Sequence, residues 1–147
     1  MKFHYPCISH ETVYIILMAT VVSLRNQPDK SESRERVLTT ALLRAADHLG
    51  VTGQDLAAIL GVSTAMVSRM KSGTHQLRER SKGFELAALF VRLFRSLDAI
   101  TGGDRDVARA WLRNENRALG GIPLERIKSI TGLTYGLAYL DSRRAPL

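Results

Sequence analysis

One cysteine, Cys7, is all the thiol this chain has, which excludes an intrachain disulfide and a thiolate zinc cluster. That usage fits a reducing compartment, so the cytoplasm is the expected location. There is no apolar run long enough to cross a bilayer. The longest, Val13 to Leu24, is a dozen residues broken by Thr20 and Ser23, against the roughly 20 that a span needs. Only Lys2 stands before it as a basic leader, and Arg25-Asn26-Gln27-Pro28 follows in place of a small-residue cleavage site, so neither membrane insertion nor secretion is expected. At 147 residues the chain is also too short for a barrel or a doubly wound enzyme. Acid is in deficit: 14 Asp and Glu face 21 Lys and Arg, a net charge of +7, which favours an anionic partner with nucleic acid first. What is present is foldable, since 45% of the residues are apolar and 24% charged.

Residues 1–30 read as a flexible N-terminal arm. Met18 opens MATVVSLRNQPDKSESRER, an ordinary protein start, so residues 1–17 read equally as an upstream extension or as part of the native chain. Met1 to Ser23 carries no capping or amphipathic register to tie it to a core and is expected to be dispensable. His4, Cys7 and His10 are three apart, but a fourth ligand is missing and no metal is expected.

Residues 31–101 read as an all-α unit built around a helix-turn-helix. Ser33 is the expected N-cap of a first helix, with Val37, Leu38, Ala41, Leu42, Ala45 and Leu49 on its apolar face and Gly50 at its end. Thr52 can cap a short second helix, with Asp55 near its positive end and Leu56, Ala57 and Leu60 turned inward. Gly61-Val62-Ser63 then turns the chain, and Ser63 caps a third helix through Met70. In such a pair the second helix puts its first side chains against base edges in the major groove. Thr64, Ala65, Ser68 and Arg69 are the outward candidates; Val67 and Met70 should face inward, while Gln54, Ser63 and Lys71 complete the DNA-binding candidates. From Arg69 to Arg95, seven basic residues (Arg69, Lys71, Arg78, Arg80, Lys82, Arg92, Arg95) face Glu79 and Glu85, a patch suited to phosphate.

Ser81 to Ile100 reads as one long helix, apolar around most of its circumference, with a narrow polar stripe through Glu85, Arg92 and Ser96. It should serve as a central scaffold or a dimer interface, with Phe84, Phe90 and Phe94 in the core. Thr101-Gly102-Gly103 ends it, and residues 102–147 form a second, small helical unit. Asp104 starts a helix containing Val107, Ala108, Trp111 and Leu112, and Pro123 starts another. Asp104 and Asp106 are placed for capping rather than catalysis, and Gly120-Gly121 lacks the Lys and Ser/Thr of a phosphate-binding loop. His48 and His75 have no partners at ligand spacing. No catalytic constellation, metal or cofactor is expected, and the chain does not read as an enzyme.

The string DLAAILGVSTAMVSRMKSG resembles the helix-turn-helix of the Xre/Cro family of transcriptional regulators, in Leu56, Ala57, Gly61, Val62, Ser63, Val67, Ser68 and Arg69. That family usually has Gln at the start of the second helix, where Gly53 stands here and Gln54 follows. WLRNENRALGGIPLERIKSITGL and AYLDSRR resemble the toxin-binding domain of the MbcA/ParS/Xre antitoxins, in Trp111, Leu112, Asn116, Leu119, Gly121, Pro123, Gly132, Leu133, Tyr139, Leu140 and Asp141. Gly136 departs from that pattern and suggests a looser helix. The resemblance implies an antitoxin of a type II toxin–antitoxin pair. Its partners would be a RES-domain toxin that degrades NAD and the operator DNA of its own genes, with a homodimer assembling further on the toxin. Trp111, Asn116, Tyr139, Leu140, Asp141, Arg143 and Arg144 would bind the toxin. The alternative is a helix-turn-helix regulator whose C-terminal module dimerises or senses a ligand.

Overall fold

The computed structural model describes residues 30–144, which form seven helices and no strand. The arm over residues 1–29, with its His4, Cys7, His10 spacing and the Met18 start, and the tail 145–147 lie outside the described residues. Helix α1 (Lys30–Leu49) is already helical at Lys30, so Ser33 lies inside it and is not its cap. Thr39, Leu42, Ala45, Ala46 and Leu49 recur every three or four residues and form its buried stripe. Val37, expected on that stripe, is 64% exposed because it falls a third of a turn away. Gly50 takes a φ of 63°, open to a residue without Cβ, and ends the helix.

Helices α2 (Gly53–Leu60) and α3 (Thr64–Lys71) follow, capped by Thr52 and Ser63 as the sequence indicates. Helix α4 (Lys82–Thr101) is capped by Ser81, whose hydroxyl accepts from Phe84 N, and stopped by Gly102 at a φ of 62°. Asp104 caps α5 (Arg105–Arg113) by accepting from the Asp106 and Val107 amides. Pro123 opens a single turn, α6 (Pro123–Arg126), and α7 (Ile130–Arg144) completes the chain. Ala108 and Leu112 carry the buried side of α5, while Val107 is half exposed.

Helix α4 is the scaffold. It packs against α7 along much of its length, against α1, and more briefly against α2 and α5. Ala87, Phe90, Leu93 and Leu97 are fully buried in a cluster that also holds Leu42 and Leu56 from one half and Leu112, Leu133 and Leu140 from the other. Burying a side chain of the size of Phe90 is worth about 1.5–3 kcal/mol, so this shared cluster binds the two halves into one core. Ser96 corrects the expected polar stripe: it is fully buried, because α7 covers that side of α4.

Candidate nucleic-acid and partner interface

The outward face of α3 follows from its two ends and its inner side. Ser63 Oγ accepts from Met66 N at 3.2 Å, so this hydroxyl serves first as a cap. Gly61, at a φ of 64°, closes α2, and Val62 packs on the core between the two helices. Val67 and Met70 are buried against that core, which leaves Thr64, Ala65, Ser68 and Arg69 exposed on one side, as the periodicity predicts. Gln54 is exposed in the first turn of α2. Gly53 precedes it, and a Cβ there would lie 3.6 Å from Lys71 Nζ, so the Lys71 side chain lies over the start of α2. Past α3, Ser72 Oγ, Thr74 N and His75 N all donate to Arg69 O, fixing the exit toward Arg78, Arg80 and Lys82. Arg92 does not join this basic group. It pairs with Asp141 of α7 at 2.6 Å, on the side of α4 that α7 covers.

The second half distributes its sequence-selected residues differently from expectation. Asn116 Oδ1 accepts from the Ala118 and Leu119 amides, and its backbone pairs with Gly121, so this side chain shapes the 116–121 turn. Leu140 is 1% exposed in the core and presents no surface, because it lies on the stripe of Leu133, Gly136 and Leu137 that faces inward. Asp141 is likewise engaged internally. It accepts from Ser96 Oγ at 2.7 Å and from Arg92, and the Ser96 hydroxyl, with Arg92 and Arg144 close by, holds its carboxyl below the usual aspartate range. Trp111 and Tyr139 are partly buried, with the Arg143 guanidinium 5.3 Å from the Tyr139 ring centre. The exposed large apolar residues of this half are Ile122, Ile130 and Tyr135, with Val107 on α5. Tyr135 begins the final helix and tail, Tyr135 to Leu147, that the sequence sets nearest a toxin, but it is not among the contact residues singled out there; the inward stripe of α7 turns it outward, and its hydroxyl donates to Ala118 O at 3.3 Å, across the turn.

A second feature the sequence reading missed is the row Arg105, Arg109, Arg113, one residue in every four along α5. Arg105 reaches Asp47 Oδ2 at 3.0 Å, Arg109 Nε donates to His48 O at 2.9 Å, and Arg113 Nη2 donates to Gly50 O at 2.6 Å. The carbonyls that end α1 are thus satisfied from the other half of the chain, where cations also suit the helix dipole. Lys128 makes a further tie, 2.8 Å from Asp55 Oδ1 at the start of α2 and 2.8 Å from Glu125. The Lys128 ammonium and the Thr52 hydroxyl lower the Asp55 pKa, while Asp55 and Glu125 raise that of Lys128. His48 packs edge-on to Phe94 at 5.1 Å, a packing role. Among the described residues no three His, Cys, Asp or Glu side chains are grouped to hold a metal ion, and no helix is long and apolar enough to cross a membrane.

Comparison with known domain families matches residues 30–92 to the antitoxin Xre-like helix-turn-helix domain and residues 96–145 to the antitoxin Xre/MbcA/ParS C-terminal toxin-binding domain. The two matches meet inside α4, the helix both halves share. No curated protein matches the chain.

Proposed function

The chain belongs to the Xre/MbcA/ParS antitoxins, and from that premise we propose that it neutralises a RES-domain, NAD-degrading toxin by direct binding and represses its own genes through α3. The observation that carries the reading is the pairing, in this order and on one core, of a helix-turn-helix whose α3 is exposed with a toxin-binding domain. Thr64 and Ala65 would touch base edges, Ser68 and Arg69 would reach a base or phosphate one turn later, Gln54 would hydrogen-bond a phosphate, and Lys71 and Arg78 would neutralise the backbone. Two copies would pair to present two α3 helices, and the toxin would assemble onto that homodimer. The toxin-facing surface would combine Tyr135 and Ile122 around the 116–121 turn with Trp111, Tyr139, Arg143 and Arg144, a mixture of aromatic anchors and arginines suited to a specific interface. Such a role needs no catalysis by this chain and places it with the chromosome, in the cytoplasm.

Co-expression with the product of the adjacent reading frame tests the reading. The neighbour alone should stop growth and deplete cellular NAD; together with this chain it should do neither, and the two should copurify. A neighbour that is harmless, or toxic without NAD loss, would overturn the RES assignment.

A further inference from the structure

Resting on the DNA-binding reading above, we propose that the toxin-binding half itself supplies part of the DNA interface: Arg109 and Arg113 of α5, with Lys71 of α3, form a cationic groove that takes the phosphate backbone beside the start of α2. The groove has a volume of about 760 Å³ and is walled by Leu43, Ala46 and Asp47 of α1, by Gly50 and Val51, and by these three cations. Its charge is unbalanced. Asp47 is its only carboxylate, and that is already paired with Arg105 at 3.0 Å. Among the described residues, Lys71, Arg109 and Arg113 have no carboxylate within ion-pairing distance.

Position selects the anion. Gly50 and Val51 immediately precede Thr52, the cap of α2, and Lys71 is the last residue of α3. When α3 enters the major groove, the first helix of the pair crosses the backbone, so phosphates pass the start of α2. The toxin-binding half straddles that point, with Arg113 bonded to Gly50 on one side and Lys128 to Asp55 on the other. The guanidiniums are also held in place. Arg109 donates to His48 O and Asp47 O, and Arg113 to Leu49 O and Gly50 O, which occupies two of the five N–H groups of each and leaves the others for an anion. Gly50 makes this closeness possible, since a Cβ there would lie 3.2 Å from both side chains.

The test uses full-length protein and a duplex taken from the region upstream of its own coding sequence, titrated from 50 to 300 mM salt. Arg113→Gln should weaken binding to this duplex and to an unrelated one by a similar factor of about five to tenfold, and reduce the slope of log affinity against log salt by about 1. Arg113→Lys should keep most of the slope, because it keeps the charge. Should Arg113→Gln lose its fold, wild-type protein gives the answer. Modification of Arg109 and Arg113 by phenylglyoxal, read by mass spectrometry, should fall when the duplex is added. Unchanged affinity and slope in a folded Arg113→Gln, or no protection by DNA where Arg69→Ala does weaken binding, would overturn the proposal. Protection by the toxin alone would overturn it too, assigning the groove to the protein partner. Failure of wild-type protein to bind any duplex would instead sink the DNA-binding reading on which it stands.

Discussion

Two glycines of α7, four residues apart, have opposite tolerances. A Cβ on Gly132 would overlap the Arg126 carbonyl, a backbone group that cannot step aside, and the Gly132 amide donates to Ser129 Oγ at 3.0 Å. Gly132→Ala should therefore cost about 1–3 kcal/mol, the range for overpacking. A Cβ on Gly136 would meet Leu93 and Ile127 at 3.6 and 3.7 Å, ordinary contact distances. The helix gains up to about 1 kcal/mol from Ala over Gly, so Gly136→Ala should raise the melting temperature by up to about 4 °C. Thermal melts of the two variants check both signs. Asp141 carries the pH dependence of the same helix. Its carboxyl is held below the ordinary 3.8, so the stability it contributes is fully present above that value and is lost as pH falls through it toward the lowered native pKa. Asp55 acts in the same direction and Lys128 oppositely, its contribution being lost as pH rises past 10.5. Denaturant melts from pH 2.5 to 7 should show Asp141→Asn less stable than wild type at pH 7 and shallower in its acid dependence.

Among the elements, α3 is capped, pinned by Val67 and Met70, and free on the side of Thr64 and Arg69. Arg69→Ala should weaken binding to the upstream duplex by on the order of 1–3 kcal/mol without changing the melt, since Arg69 is exposed. Thr64→Val should alter base preference more than affinity; a binding-site selection against both proteins would reveal it. Helix α7 sets a different constraint. Cutting the chain after Leu140 would remove the end proposed to face the toxin, but it would also remove the Asp141 bonds to Ser96 and Arg92 that pin α7 to α4. Tyr135→Ala is the cleaner probe, because Tyr135 is 56% exposed. It should lose neutralisation of the toxin in a growth assay while melting and DNA binding stay within error.

At the scale of the whole molecule, the arginine row of α5 and the Lys128 tie bind the toxin-binding half to the helix-turn-helix, and α4 runs through both. A dimer of such a body would bind an inverted repeat with half-sites about one helical turn apart, roughly 34 Å. Footprinting should show two protected half-sites at that spacing, and inserting half a turn of DNA between them should abolish tight binding.

The sequence by itself determined what depends on residues near one another in the chain. Thr52, Ser63, Ser81 and Asp104 cap helices because each hydroxyl or carboxylate meets an amide two or three residues on. Gly50, Gly61 and Gly102 end or turn helices because a left-handed backbone suits them. The outward side of α3 followed from a period of 3.6 together with two apolar residues. Tertiary structure alone decided which polar residues face one another across elements. Ser96 read as solvent-facing until α7 covered it; Asp141 and Leu140 read as contacts for a partner until the one met Arg92 and the other the core. Arg105, Arg109 and Arg113 had no visible purpose until α5 crossed the end of α1, 58 to 64 residues away in sequence. Periodicity assigns a residue to a side of its own helix, but which element that side meets depends on the crossing of helices, and no local pattern records it.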